Sequence, residues 1–477
     1  MQHQKDPTKF CLVEVYNRPE APAAHKATAH YARWAETVQS MMAQPRASKK
    51  YTTLFPSSLH YHQSSDLIHP GVRGLTGSPS SFGLLSPKLL MGRGIAAQAI
   101  KSALKDLKIT KPLILTGASG VRRQHELFMN AFDVPSIDAL KHPCYDVNGE
   151  PTTDDALKAV ALAKQNNCDG VLSVGGGSSI DLGKAVAALA TNENDIFEYM
   201  EVVGRGKAIE NTPLPFIAVP TTSGTGSEVT KNAVLKSVQH GMKASIRHDT
   251  MLPKVAIIDP TLTISCPPDV TAHVGLDTLC QVIEPYVSNA ANPFTDALAR
   301  DGILRASRSL RAVVADGANV EAREDLSVAC VFGGMALANA KLGAVHGYAA
   351  VLGGMFDHAP HGAICASLLP AVFKANVMKL QALAESGDAD AMRKLERFVD
   401  VSRIITGCPH ASAEDGADWL EALVKDLRVP GIGALCEGIK KEQIPEIARL
   451  TETASSTKGN PVPLAPDELE DILTKAF

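Results

Sequence analysis

GVLSVGGGSSIDLGKAVAALA, residues 170–190, joins three different patterns in one short stretch. The apolar run at its start predicts a buried strand, the GGGSS that follows predicts a tight turn, and the last part has apolar residues at helical spacing. A helical pattern that starts with a cap at Thr153 precedes the strand. Helix, strand, turn and helix in this order predict one unit of a parallel α/β sheet.

Three more apolar runs repeat this alternation, at PLILTGA (112–118), PFIAVPTT (215–222) and VAIIDP (255–260). Together they predict a parallel sheet with helices on both faces, which we place in a domain at 82–262. From about Cys266 the strand signals nearly disappear and Ala/Leu-rich helical segments follow, so we predict an all-α domain at 263–477.

The first part of the chain has a different texture. Apolar runs at 11–16 and 50–55, with helical material between them, predict a small α+β module at 1–56. Residues 57–81 are rich in Ser, His, Gly and Pro without an apolar period, which predicts a linker.

Composition narrows the class of protein. At 477 residues with 45% hydrophobic and 21% charged residues, the chain is long enough for two or three globular units. The net charge of −4, without a block of like charge, argues against nucleic acid or an anionic membrane as a partner.

Cysteines and the first residues indicate where the protein resides. The nine cysteines are scattered and form no CxxC pair, and the first stretch is polar and lacks the pattern of a signal peptide. We therefore expect the protein to stay in the reducing cytoplasm. The apolar stretch 333–356 contains Lys341 and His346 and many glycines, so we predict a buried interior helix and not a membrane span.

Two loops are candidates for binding a dinucleotide. The glycine turn at 175–179 lies between a strand and a helix, where backbone N–H groups can hold a phosphate, although glycines also occur in such turns for purely conformational reasons. A second loop, PTTSGTGSE at 220–228, is dense in hydroxyls and glycines and also follows an apolar strand. Two such loops at the same end of one sheet would form a dinucleotide crevice.

A third group of residues lies in the helical region. Asp277 and Gln281 are four residues apart and share one helix face, while His346 lies in the most apolar stretch and His361 precedes a glycine at an expected helix start. A lone histidine is usually a surface or core residue, but an unpartnered imidazole in an apolar stretch is costly. A carboxylate, two imidazoles and a weak amide donor suit a divalent ion such as Fe(II) or Zn(II) that acts as a Lewis acid.

Six motifs from 82 to the end resemble the iron-containing (group III) alcohol dehydrogenases: GGGSSIDLGKA (175–185), AVPTTSGTGSEVT (218–230), KASIRHDTMLPKVAIIDP (243–260), GLDTLCQVIE (275–284), HGYAAVLGGMF with PHGAICA (346–366), and SSTKGNP (455–461). The resemblance implies a dehydroquinate synthase-like architecture: an α/β nucleotide-binding domain, an all-α C-terminal domain and an active site in the cleft between them. It implies NAD or NADP as cofactor. The residues it assigns to the pyrophosphate are Gly176, Gly177 and Ser178, and those it assigns to the nucleotide and nicotinamide site are Asp181, Thr221, Thr222 and Lys243.

The resemblance also implies a metal bound by an Asp, a His four residues later and two further His. Asp277, His346 and His361 fall on three of these positions, whereas Gln281 occupies the fourth. An amide is a poorer ligand than imidazole, so this departure weakens the expected site. The family has a further histidine near the nicotinamide, and Ala350 occupies that position here. His358 could replace it functionally, but we favour the interpretation that His358 is an exposed loop residue.

A second departure concerns the cofactor. NAD-preferring members of the family carry an acidic residue after the first strand, whereas this chain has Gly117 near that place, followed by Ser119, Arg122 and Arg123. Without the carboxylate a 2′-phosphate is not repelled, and these side chains could pair with it, so tolerance of NADP is plausible. The alternative is that both arginines are solvated helix charges.

Residues 10–55 resemble the second half of an antibiotic-biosynthesis-monooxygenase (ABM) module, a small ferredoxin-like fold. The opening strand, helix and strand of such a module are missing, so we do not expect an independent catalyst. Three interpretations stay open: a truncated start, a docking element, or a half that completes a dimer.

The sequence therefore predicts a metal-dependent, NAD(P)-linked alcohol dehydrogenase that acts on a small-molecule alcohol, aldehyde or ketone, with Asp277, His346 and His361 as catalytic residues. Two alternatives stay open: a metal-independent reductase similar to maleylacetate reductases, and a non-catalytic nucleotide-binding regulator. The resemblance also implies a homo-oligomer, a dimer or larger.

Overall fold

This computed structural model describes residues 2–3, 6–10, 84–356 and 358–477. The chain divides into two units, Met1–His69 and Pro70–Phe477. In the first unit, strands β1 (Gln2–His3) and β2 (Asp6–Phe10) pair in antiparallel fashion. The strands predicted at 11–16 and 50–55, the helical material between them, the ABM-like module as a whole and the linker at 57–81 lie outside the described residues.

The second unit contains a six-stranded sheet in which every neighbouring pair is parallel, with strand order β3-β10-β7-β6-β4-β5. A separate antiparallel hairpin, β8-β9, lies outside this sheet. The strands are β3 (Lys88–Met91), β4 (Pro112–Gly117), β5 (Cys144–Val147), β6 (Gly170–Gly175), β7 (Phe216–Pro220), β8 (Asn232–Ser237), β9 (Met242–Arg247) and β10 (Val255–Ile258).

Helices cover both faces of the sheet, as the sequence predicts. On one face Leu113 and Val171 pack with residues of α4 and α5, and on the other Ile114 and Leu172 pack with residues of α1 and α3. The helices of this region are α1 (Ala96–Asp106), α2 (Gly120–Arg123), α3 (His125–Phe132), α4 (Thr153–Gln165), α5 (Gly177–Leu189) and α6 (Ile196–Tyr199). The four central strands, β4, β6, β7 and β10, are completely or almost completely buried, which explains their continuous apolar sequences.

The predicted strands in these four runs are confirmed. The weaker edge strands β3 and β5 and the β8-β9 hairpin were not predicted, because their exposed and buried residues are mixed and give no long apolar run. The cap predicted at Thr153 was wrong by one residue: Thr152 caps α4, and its side chain and Asp155 form a reciprocal capping box.

Among the described residues from Pro268 onward, the regular elements are helical and share one large apolar core. The α-helices are α7 (Pro268–Val287), α8 (Pro293–Ala315), α9 (Val320–Asn339), α10 (Ala344–Met355), α11 (His361–Glu385), α12 (Ala389–Thr406), α13 (Ala413–Asp426), α14 (Ile432–Leu435), α15 (Ile444–Thr453) and α16 (Pro466–Lys475). The α/β and all-α architecture predicted from the sequence is thus confirmed.

The apolar stretch 333–356 forms the end of α9 and all of α10, which are bent by 93° relative to each other. His346 in its middle is buried, as predicted for an interior helix. By length and composition, α11 and the bent α9-α10 pair pass a test for membrane-spanning helices, but 61% of the apolar window of α11 is buried inside the protein. Core helices pass the same test, so this is weak evidence for a span.

Candidate active site

The two glycine-rich loops meet at the carboxyl ends of neighbouring strands. β6 and β7 pair with Gly175 opposite Pro220, and the N–H of Thr221 donates to the carbonyl of Gly175 at 3.0 Å. Helix α5 begins at Gly177, and its N-cap residue Gly176 supplies no capping side chain. The first N–H groups of α5 have no side-chain cap, so a phosphate at this helix start would find donors and the positive helix end.

Close packing between the loops requires glycine at 177, whereas position 176 has room for a Cβ atom. A Cβ atom on Gly177 would lie 2.6 Å from Oγ1 of Thr225, and one on Gly176 would lie 3.4 Å from Oγ1 of Thr222. The side chains of Thr221 and Thr222 are half-buried beside the turn, as is Ser178 in the first turn of α5. The sequence prediction that the two loops share one end of the sheet is confirmed.

Asp181 and Lys243 have protein partners. The carboxylate of Asp181 accepts from the N–H of Val234 at 3.0 Å, lies 3.0 Å from the ammonium of Lys184, and also accepts from the hydroxyl of Ser227. Asp181 thus ties α5 to the β8-β9 hairpin and to the loop at 220–228 that follows β7, which we call the β7 loop.

Lys243 lies on β9 and pairs with Glu150 at 2.6 Å. Its Nζ lies 3.4 Å from the place where a Cβ on Gly353 of α10 would be, so the ammonium faces the helical domain. Both predicted cofactor residues therefore lie around the crevice, but their charges are already paired in this structure.

The β7 loop also contacts the helical domain. The hydroxyl of Thr278 on α7 donates to the carbonyls of Ser223 and Gly224, at 3.1 and 3.2 Å. A Cβ on Gly224 would lie 2.5 Å from that of Val274. Thr278 follows Asp277 directly, so the turn of α7 that carries the predicted metal ligand is fixed to this loop.

Three helices bring the predicted metal-binding residues together. Asp277 and Gln281 lie on α7, His346 on α10, and His361 at the start of α11. The starts of α11 and α7 approach closely at Gly362, where a Cβ would lie 2.4 Å from the carbonyl oxygen of His273. Glycine at this position lets the side chain of His361 reach Asp277.

The donor atoms form a compact group. Oδ1 of Asp277 lies 3.3 Å from Nε2 of His346 and 4.0 Å from Nε2 of His361. Sγ of Cys365 lies 3.7 Å from Nε2 of His361, and the four donor atoms all lie within 4.8 Å of one another. On its other side, Nδ1 of His346 lies 2.6 Å from Oε2 of Glu284, an arrangement in which the ring donates to the carboxylate and presents Nε2 to the group.

The residues present fit a divalent cation. Oδ1 of Asp277 and Oε1 of Gln281 are buried and have no hydrogen-bond partner among the described residues. Buried polar oxygens without partners are costly, and a cation held by Asp277 would satisfy its Oδ1. The side chain of His361 is 41% exposed, so the group is open on one side, as a site that must admit a substrate requires.

The electrostatics agree with a cation site. Burial alone would lower the pKa of His346, but Cys365, Glu284 and Asp277 raise it well above its ordinary value. The neighbouring Cys365 is also the main cause of a raised pKa at His361. Burial alone would raise the pKa of Asp277, but His346 and His361 lower it below its ordinary value. The pocket therefore favours positive charge, which a metal ion would supply in place of protons.

Sequence reasoning missed two residues of this group, Glu284 and Cys365. Each had a signal: Glu284 follows Asp277 by seven residues and Cys365 follows His361 by four, so each shares a helix face with a predicted ligand. Ala350 is exposed on α10, and His358 is exposed in a turn before α11. Gly117 ends β4 as predicted, and a Cβ there would lie 3.5 Å from the guanidinium of Arg123.

A parallel sheet with a glycine turn between strand and helix, joined to a helical domain that carries a cluster of metal-ligating side chains, is typical of dinucleotide-dependent oxidoreductases. The family described as "Iron-containing alcohol dehydrogenase" matches residues 86–260, and "Fe-containing alcohol dehydrogenase family, C-terminal" matches residues 271–477. Since these matches cover more than half of the chain, the protein belongs to the iron-containing alcohol dehydrogenase family. It is an oxidoreductase that acts on CH–OH groups.

Known proteins agree with this assignment. The chain is 31% identical to Alcohol dehydrogenase 4 of Schizosaccharomyces pombe over 90% of its own length and 96% of that protein. Its fold is similar to the crystal structure of a 1,3-propanediol oxidoreductase, with a TM-score of 0.73 and 30% identity over 83% of this chain and all of the other. It is also similar to sulfoacetaldehyde reductase from Bifidobacterium kashiwanohense in complex with NAD+, with a TM-score of 0.71 and 28% identity over 84% and 99% of the two chains.

Proposed function

We propose that the protein is a metal-dependent, NAD(P)-linked alcohol dehydrogenase, or in reverse an aldehyde or ketone reductase, and that the group around Asp277 is its catalytic centre. The observation that carries this proposal is the pocket of Asp277, His346 and His361, fixed through Thr278 to the loop beside the glycine turn. A cation and a dinucleotide would thus be held by two parts of one continuous cleft.

Asp277, His346 and His361 would hold the cation, and Glu284 would keep the His346 ring in the orientation that presents Nε2. When bound, a divalent ion supplies a Lewis acid that stabilises negative charge on the substrate oxygen. The side chain of His361 is partly exposed, and a substrate would enter the site from this open side. The cofactor supplies the hydride chemistry, and the protein orients its reactive carbon against the substrate.

On the other side of the cleft, the N–H groups around Gly176, Gly177 and Ser178 would bind the pyrophosphate. The hydroxyls of Thr221 and Thr222 would orient the dinucleotide. Asp181 and Lys243 then act through the contacts described above, Asp181 by fixing the loop and Lys243 by its ammonium at the α10 side. None of these groups takes part in bond breaking.

We further propose that the enzyme accepts NADP(H) as well as NAD(H). At the end of β4 there is no acidic side chain at Gly117, and the guanidinium of Arg123 lies beside it. The carboxylate of Asp146 on the neighbouring strand lies 3.2 Å from the hydroxyl of Thr116 and 3.3 Å from the N–H of Ser119. These bonds hold the Asp146 carboxylate against the end of β4, and Arg123 is the cation beside Gly117 that could pair with a 2′-phosphate.

A small polar substrate fits this proposal, because a propanediol oxidoreductase and a sulfoacetaldehyde reductase are among the similar structures. We also propose an α/β domain at 82–262 and an all-α domain at 263–477. The protein would form a homo-oligomer in the cytoplasm, and the ABM-like segment would serve its assembly. The metal-independent alternative is not favoured, because the family and the donor set both point to a metal enzyme.

The test is substitution of His361. We expect His361→Ala to abolish turnover of small aldehydes with NADH and NADPH, while the dissociation constant for the nucleotide, measured by titration calorimetry, stays within about twofold of wild type. His410→Ala, at an exposed turn away from the cleft, is the matched control and keeps full turnover. Turnover that persists in His361→Ala would disprove the catalytic role of the pocket.

A further inference from the structure

A fourth side chain that can bind a metal lies beside Asp277, His346 and His361. It is Cys365, and not Gln281, which occupies the position expected for the fourth ligand. Cys365 lies one helical turn after His361 on α11, is fully buried, and places Sγ 3.7 Å from Nε2 of His361. It belongs to the group of four donor atoms that lie within 4.8 Å of one another. Helix α11 therefore presents two donors from one face, just as α7 presents Asp277 and Gln281.

The distances suit a tetrahedral ion. Zinc bonds of about 2.0–2.3 Å place the donors of a tetrahedral site roughly 3.3–3.8 Å apart. Three of the six separations are 3.3 Å for Asp277 and His346, 3.7 Å for Cys365 and His361, and 4.0 Å for Asp277 and His361. All four donor atoms lie within 4.8 Å of one another, so side-chain movements of up to about 1 Å would bring them onto a common ion.

Gln281 is the weaker candidate for the fourth ligand. Its amide is neutral and hard, whereas a thiolate is a soft, charged ligand that zinc and cobalt bind strongly. Gln281 lies one helical turn after Asp277 on α7, from where its amide could orient the ligating carboxylate, which is a positioning role. With Asp277 and Cys365 as anions and two neutral imidazoles, the ligand charges also balance a divalent cation.

We propose that Cys365 is the fourth protein ligand of the metal, as a thiolate whose proton leaves to solvent on metal binding, and that this Asp–His–His–Cys site selects zinc. The proposal rests on the metal-dependent function above, because it names the ligands of the same centre. Zinc also accepts a fifth ligand, so four protein donors do not close the site to a substrate.

The first test uses the wild-type protein loaded with zinc and measures X-ray absorption at the zinc edge. We expect one sulfur neighbour at about 2.3 Å together with nitrogen and oxygen neighbours at about 2.0–2.1 Å. A shell of nitrogen and oxygen alone would overturn the proposal. This experiment needs no variant and does not depend on activity.

The second test uses cobalt(II) in place of zinc. A cobalt–thiolate bond gives a charge-transfer band in the near ultraviolet, which we expect in wild type and not in Cys365→Ser. Cys280→Ser is the matched control: Cys280 is also buried and its Sγ lies 3.8 Å from the carbonyl oxygen of Cys365, so it neighbours the site without belonging to the donor group. The band should persist in that variant.

Affinity gives a third readout. By competition with a chelator, Cys365→Ser should bind zinc at least about tenfold more weakly, and Gln281→Ala less than this. Visible cobalt bands without the charge-transfer band in wild type would overturn the role of Cys365 and leave the metal-dependent function intact. A wild type that binds iron but neither zinc nor cobalt would overturn the role of Cys365 alone, and one that binds none of the three metals would overturn both.

Discussion

A substitution at Gly362 tests whether the close approach of α11 to α7 is what brings the metal-binding residues together. In Gly362→Ala the new Cβ would lie 2.4 Å from the carbonyl oxygen of His273 and 3.3 Å from Cβ of Asp277. The carbonyl belongs to the backbone of α7, so it cannot rotate away as a flexible side chain would. The start of α11 has to move instead.

The size of the movement follows from the contact. Ordinary contacts of a Cβ begin at 3.4 Å, so α11 must shift by about 1 Å relative to α7. Metal sites tolerate changes of about 0.2 Å in ligand distance, and His361 and Cys365 both move with α11. We therefore expect a loss of about 10–100-fold in metal affinity and about 1–3 kcal/mol in the free energy of unfolding.

The assay is competition for zinc with a chelator of known affinity, followed by urea unfolding. Gly354→Ala is the matched control, because Gly354 also lies in a helix and its Cβ would find nothing within 4 Å. Replacing glycine by alanine in a helix stabilises it by up to about 1 kcal/mol, and this effect is common to both substitutions. The difference between the two variants therefore reports the clash. Metal affinity of Gly362→Ala within twofold of that control would refute the account of how the pocket is held together.

Three further predictions concern the ligand orientation, the cofactor and the buried carboxyl Glu228. Glu284→Gln weakens the bond that orients His346, so we expect metal affinity to fall about tenfold in the same chelator competition, and an unchanged affinity would contradict this role. Gly117→Asp places a carboxylate beside Arg123, so kcat/KM for NADPH should fall about tenfold or more relative to NADH, and steady-state kinetics with equal losses for both would disprove the 2′-phosphate site. Burial raises the pKa of Glu228 to about 7 from its ordinary 4.5, so its ionisation costs folding stability as the pH rises through this range. Urea unfolding should show Glu228→Gln gaining up to about 3 kcal/mol over wild type between about pH 5 and 8, and a constant difference would contradict the raised pKa.

The sequence was informative about the fold where burial is complete. β6 and β7 are buried on both faces, so their apolar runs were recognisable and the two loops after them could be assigned to one end of the sheet. The β8-β9 hairpin alternates buried and half-exposed residues among lysines, so it gave no comparable signal although it carries Lys243. Local patterns therefore predicted the centre of the sheet and missed its edges.

At the candidate site, the residues could be predicted but not their partners. Asp277, His346 and His361 stand out by type and position, and their proximity depends on how α7, α10 and α11 pack. That packing depends on the missing side chain of Gly362, which no periodicity indicates. Glu284 and Cys365 are four or seven residues from predicted ligands, a spacing that many buried residues share, so only the folded chain distinguishes them.

The central claim is that the chain is a metal-dependent dehydrogenase, and the most direct measurement is the metal content of the purified protein together with its activity before and after chelation. Elemental analysis should find close to one divalent metal ion per chain, zinc if Cys365 is a ligand and iron if it is not. Oxidation of NADH and NADPH with a panel of small aldehydes and keto acids should be lost on chelation and return when the metal is restored. A metal-free protein with full activity would contradict the account and leave Asp277, His346 and His361 as polar groups that bind the substrate.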